Sequence, residues 1–140
     1  MRDLLRREGL DGVVEIDSAG TGGWHVGDPP DRRSTAAAKA RGIVMAGAAR
    51  QVTAADFDSY DLLLAADAQN VAALRAAAPD AEAAEKVVLL RSFDRASVAA
   101  GDLDVPDPYY GGPRGFEAVL DLVEAACRGL LEDLRADGRV

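Results

Sequence analysis

The residues best suited by type and spacing to do chemistry lie in one string, Asp104-Val105-Pro106-Asp107-Pro108-Tyr109-Tyr110-Gly111-Gly112-Pro113. Pro106 and Pro108 flank Asp107. Each proline fixes its own φ and biases the residue before it toward extended backbone, so the carboxylate between them has little room to wander. A carboxylate held in this way suits a general acid, which must stay within hydrogen-bond reach of the proton it moves. The string equally suits a surface turn in which Asp107 is solvated and the tyrosines pack on the following helix, and its composition does not separate the two. The other reactive types are sparse. Cys127 is the sole cysteine, which excludes an internal disulfide and any metal site built on paired thiolates. His25 is the sole histidine, so no zinc motif can form around it, and no metal or other cofactor is expected.

Elements that could position these residues alternate along the chain. From Met1 to about Gly9 an amphipathic helix sets Met1, Leu4 and Leu5 against a charged side, with no Ser, Thr, Asp or Asn cap before it, so the chain is expected to open inside a helix. Val13-Val14-Glu15-Ile16 reads as a β-branched strand, followed by the small-residue loop Asp17 to Gly23 that carries Trp24 and His25. Asp28-Pro29-Pro30-Asp31 is helix-start chemistry before the alanine-rich run Ser34 to Arg41, which Gly42 closes. Asp61 to Ala66 reads as a strand buried on both faces, Ala68 to Ala78 as a helix stopped by Pro79, and Lys86 to Leu90 as another buried strand. From Gly115 a long helix places Phe116, Val119, Leu120, Val123, Cys127, Leu130, Leu131 and Leu134 on one face, which predicts a buried, inert Cys127 thiol.

Strands alternating with helices predict an α/β fold, a parallel sheet flanked by helices. Three strands are thin for a sheet of this kind, and a first helix with no strand before it is unusual. Both features point to the same missing piece, a strand ahead of the first helix. The 140 residues predict a single domain, 1–140, and the 49% hydrophobic and 29% charged fractions are those of an ordinary globular chain. No stretch is apolar enough to span a bilayer, and Met1 to Arg7 is not a secretory signal, so a cytoplasmic protein without a membrane partner is expected. The net charge of −8, without a basic patch, argues against nucleic acid.

Several motifs, in order, give a more specific reading. Asp107-Pro108-Tyr109-Tyr110-Gly111 resembles the general-acid loop of the low-molecular-weight protein tyrosine phosphatases. Asp17-Ser18-Ala19-Gly20-Thr21, with Trp24-His25-Val26-Gly27 and Pro30-Asp31, resembles the loop after that family's second strand. Ala49-Arg50-Gln51-Val52 with Asp56-Phe57, and Leu90-Arg91-Ser92-Phe93-Asp94, resemble the segments that follow.

The resemblance implies a three-layer sandwich whose central first strand is missing here, and hydrolysis of phosphotyrosine, on a protein or a small aryl phosphate, through a phosphocysteine. It implies Asp107 as general acid and base, Trp24, Tyr109 and Tyr110 as walls of a deep substrate slot, and Ser18 as a hydroxyl that supports the phosphate loop. Arg50 and Asp67 read as ion-pairing or capping residues, and His25 as a solvated or rim residue. The family's nucleophile sits in a C-x-x-x-x-x-R-S/T loop between the first strand and the first helix, and no such loop occurs here. The sixth residue after Cys127 is Asp133, not Arg. The expectation is therefore a chain that lacks the N-terminal strand and phosphate loop and is inactive as it stands. Two further readings stay open: a non-catalytic remnant that binds a phosphopeptide or partner, and an arsenate reductase of related fold, which would need additional cysteines.

Overall fold

The structure, a computed structural model, describes residues 1–108 and 112–140, the side chain of Pro113 aside. Its centre is a parallel pair of strands, β1 (Leu63–Ala65) and β2 (Val87–Leu89), in the register Leu63↔Val87, Leu64↔Val88 and Ala65↔Leu89. Around it lie α1 (Arg2–Arg7), α2 (Arg32–Ala40), α3 (Ala54–Ser59), α4 (Ala68–Ala77), α5 (Ala81–Glu85), α6 (Arg95–Ala100) and α7 (Gly112–Ala136), with a 3-10 turn at Leu90–Phe93. The α/β class with a parallel sheet is as expected.

Local chemistry starts most of the helices. Asp31 caps α2 by accepting from the N–H groups of Arg33 and Ser34, Asp67 caps α4 through Asn70, Asp80 caps α5 through Ala83, and Asp94 caps α6 through Ala96. Each carboxylate satisfies amides that the first helical turn leaves unpaired. α7 begins at Gly112, three residues before the expected Gly115.

The predicted strand at Val13 to Ile16 does not form. The N–H groups of Val13 and Val14 turn back to the carbonyl of Leu10 (3.0 and 3.1 Å), and Val13 is 61% exposed. β-branched residues favour extended backbone only where a neighbouring strand accepts their hydrogen bonds, and no described strand lies alongside. The sheet therefore has two described strands, not three. The remaining two are shorter than predicted, and β1 is not buried on both faces: Ala65 is buried, but Leu64 is 36% exposed.

One face of the pair closes over a core of Phe57, Ala65, Leu74, Ala83 and Val87, with Val52, Leu63, Val71 and Ala78 packed around it. Burying a side chain such as Phe57 or Leu74 contributes about 1.5–3 kcal/mol. α7 presents a second apolar stripe of Phe116, Ala126, Cys127, Leu130 and Leu131, all buried. It is tied to α2 by Arg41, which reaches Glu117 (2.5 Å), Asp121 (2.9 Å) and Glu124 (3.5 Å), and by the Arg33 guanidinium over the Phe116 ring at 5.0 Å.

Gly129 is where α7 meets the 3-10 turn most closely, since a Cβ there would sit 1.8 Å from the Phe93 carbonyl oxygen. Alanine would raise helix propensity by about 1 kcal/mol if space allowed. Backbone against backbone cannot give way as a flexible side chain can. Gly129→Ala is thus expected to lower stability by about 1–3 kcal/mol, read as a lower Tm by calorimetry, whereas an unchanged or raised Tm would show that α7 and the turn are not in this contact.

Candidate functional site

The loop after Ile16 is held to the chain around Arg50 at two places: Gly20 N–H donates to the Arg50 carbonyl (2.8 Å) and Val52 N–H to the Gly20 carbonyl (2.9 Å), and Gly27 N–H donates to the Ala49 carbonyl (2.7 Å) while Ala49 N–H donates to that of Asp28 (2.8 Å). Arg50 adds its side chain to the same junction. It donates to Asp17 (3.0 Å) and, through both terminal nitrogens, to Asp56 (2.9 and 3.0 Å). The forked geometry matches a carboxylate in two parallel bonds, the strong form of such a pair. Hydrogen bonds from Arg50, then the Thr53 backbone N–H, hold the Asp56 carboxyl below its ordinary value. The Ser18 backbone N–H, then the charge of Arg50, lowers that of Asp17 despite the opposing cost of desolvation. Arg50 is pushed further into its charged form, chiefly by its bonds to Asp56. The ion-pair role expected for Arg50 is therefore what the geometry has, but its bridging of two loops was not visible in the sequence.

Beside β1 runs a groove of about 510 Å³, whose walls include Ile16, Leu62, Leu64, Val123, Cys127 and Leu130. Leu63 N–H donates to the Lys86 carbonyl across the strand pair (2.9 Å). Backbone groups on a strand alternate in direction, so the N–H and C=O groups of Leu62 and Leu64 face the groove. No described strand pairs with that edge. Cys127 lines the groove from α7 at 6% exposure, as its place on the apolar face implied.

A second cavity, about 450 Å³, adjoins the first and is lined by Ser18, Trp24, His25, Arg50 and Asn70 among others. Ser18 lines both cavities. Trp24 is 89% exposed, with its ring folded over Gly22 so closely that a Cβ there would lie 2.0 Å from a ring carbon. Gly22 also lines this cavity, and no pattern in the sequence singled it out. His25 is exposed, its Nδ1 3.1 Å from an Asp28 carboxylate oxygen.

Asp107 lies in the loop before α7 and is exposed, and it is not among the described residues lining either cavity. The segment leading to it is anchored at the C-terminal end of β1: Val105 N–H donates to the Ala66 carbonyl (2.7 Å), and the Asp104 carboxylate accepts from Ala68 N–H (3.0 Å). The Ser18 loop reaches the same strand end, Thr21 Oγ1 lying 3.5 Å from Asn70 Oδ1 of α4. Tyr109 and Tyr110, expected beside Trp24, lie outside the described residues. Among the described residues no cluster of three His, Cys, Asp or Glu side chains could hold a metal ion, and no helix is long and apolar enough to cross a membrane.

Asp56 offers a sign test of the Arg50 junction. A carboxyl whose value is lowered by folding contributes stability that is present above its unfolded value and lost as pH falls through its folded one. Asp56→Asn should cost roughly 1.5–3 kcal/mol near neutral pH, with the gap to the native chain shrinking as pH falls through and below the usual carboxylate range. Urea unfolding at several pH values measures it; a gap that does not change with pH would mean that the ion pair contributes nothing.

Comparison with known proteins draws these features together. The profile of the family described as "Low molecular weight phosphotyrosine protein phosphatase" matches residues 1–140, and this match does not carry the expected truncation. The chain is 54% identical over 134 residues to a low molecular weight protein-tyrosine-phosphatase of Streptomyces coelicolor, covering 96% of this chain and 81% of the relative. Among solved structures it is similar to a protein tyrosine phosphatase from Entamoeba histolytica (TM-score 0.89, 31% identity, 99% of this chain and 86% of that one). It is similar also to YfkJ from Bacillus subtilis (TM-score 0.87, 37% identity, 97% and 82%).

Proposed function

Because the chain belongs to the low molecular weight phosphotyrosine protein phosphatase family, we propose that it serves the hydrolysis of aryl phosphate esters, phosphotyrosine above all, through a phosphocysteine. The observation that carries the reading is the meeting of two loops at the C-terminal end of β1, with Val105 on Ala66 and Thr21 beside Asn70. The carboxyl ends of parallel strands are where open α/β folds bind ligands.

In the first step a thiolate attacks phosphorus, the bond to the aryl oxygen breaks, and Asp107 gives that oxygen its proton. In the second, Asp107 as carboxylate takes a proton from water as the water attacks phosphorus, and the thiolate leaves with phosphate released. Trp24, Tyr109 and Tyr110 form the slot for the aromatic ring, and Ser18 supports the phosphate-binding loop.

Cys127 is not the thiolate. It is buried on α7, and the residue six positions on is Asp133. The reading assigns the nucleophile to a C-x-x-x-x-x-R loop preceded by an apolar strand seated in the groove beside β1, where Leu62 and Leu64 present backbone groups that no described strand pairs with and Ile16, Val123 and Leu130 offer apolar cover. A strand so placed is buried on both faces, and its C-terminal end delivers the loop beside Ser18.

Hydrolysis of p-nitrophenyl phosphate tests this. Residues 1–140 alone should show no turnover that depends on Asp107. The same residues with a strand and C-x-x-x-x-x-R loop joined ahead of Met1 should turn over, and Asp107→Asn should then cost ~10²–10⁴-fold in kcat. Asp107-dependent turnover by residues 1–140 alone would overturn the assignment of the thiolate, and an inactive joined protein would overturn the phosphatase reading.

A further inference from the structure

Arg91 is a charged side chain that the proposed chemistry does not use, yet it is only 4% exposed. A buried guanidinium is retained only where its donors are matched, because an unpaired buried charge is strongly destabilising. Its partners are all on one stretch of chain. Nε donates to Ser97 Oγ (3.2 Å), which in turn donates to Asp94 (2.6 Å), and one terminal nitrogen lies 3.3 Å from the Asp102 carboxylate and donates to the backbone carbonyl of Asp104.

The carbonyl of Asp104 and the N–H of Val105 belong to the same peptide group. Arg91 holds its oxygen, and the Ala66 carbonyl holds its N–H at 2.7 Å. Ala66 follows β1 directly, and Arg91 follows β2 after a single residue. A peptide group is planar and rigid, so fixing both of its polar atoms fixes the orientation of the whole plane. What comes next is Pro106-Asp107-Pro108, where the prolines remove most of the remaining freedom. One anchor alone would leave the plane free to pivot.

We infer that Arg91 is a positioning residue for Asp107: by clamping the Asp104–Val105 peptide to the end of β2 it sets the direction from which the carboxylate reaches the leaving oxygen. The inference rests on the reading of Asp107 as general acid.

Two measurements separate a fault in that reading from a fault in the clamp. Amide exchange is read on residues 1–140. In Arg91→Met, exchange at Val105 should rise about tenfold, as expected for losing one hydrogen-bonded partner, while amides within β1, β2 and the middle of α7 keep their rates. Arg91→Lys, which retains a donor for the Asp104 carbonyl and serves also if the methionine variant does not fold, should fall between. In the joined protein, both variants should lose more kcat/KM on phenyl phosphate than on p-nitrophenyl phosphate, because kcat/KM reports the attack on the ester and the poorer leaving group depends more on the acid. Unchanged exchange at Val105, or exchange that rises equally across the sheet, overturns the clamp. Equal losses on both esters overturn its link to Asp107. A joined protein with native Arg91 that hydrolyses neither ester defeats the phosphatase reading, and the exchange result then decides the clamp by itself.

Discussion

The pairing of Leu63–Ala65 with Val87–Leu89 sets the place of each loop discussed above, because both strands run the same way and end at the same side. The Asp107 segment is tied to Ala66 beyond one strand and to Arg91 beyond the other, and the Ser18 loop meets Asn70 in the first turn of the helix that follows β1. A parallel pair brings such ends together without any need for the loops to be close in sequence. The cost is that parallel strands need cover on both faces. The core around Phe57 and Val87 supplies one face; the stripe on α7 faces a groove on the other.

That groove explains several features that otherwise look unrelated. Leu64 is partly exposed in a strand that should be buried, Cys127 lines a cavity, and Glu15 and Ile16, just after the turn at Val13 and Val14, line that cavity without pairing to a described strand. All three border the edge of β1 that no described strand pairs with. Charges add to the few backbone ties of the Ser18 loop: Arg50 holds Asp17 to Asp56 and so helps keep that loop near the strand end. The pair with Asp56 is partly buried, and such a pair contributes more than an exposed one.

The long helices α2, α4 and α7 were readable because their caps, stops and apolar spacing lie within a few residues of one another. Buried Cys127 followed from the same periodicity. Asp80 and Asp94 were equally good caps, but the helices they start are too short to show a period, so α5 and α6 were not foreseen. Val13 to Ile16 failed for a different reason, as strand propensity expresses itself only against a partner. Of the site, the rigidity around Asp107 could be read from its two prolines. The bridge from Arg50 to Asp17 and Asp56, and the grip of Arg91 on Asp104, join residues whose proximity is set by the fold, and no local pattern announces them.

The most direct measurement is a crystal structure of the joined protein with vanadate, which mimics the phosphoryl group in transfer. The account predicts a new strand along Leu62 and Leu64, the thiolate sulfur on one side of vanadium, and the Asp107 carboxylate about 2.6–3.2 Å from the apical oxygen on the other. Asp107 pointing to solvent with vanadate bound, or a groove left empty by the added strand, would contradict it.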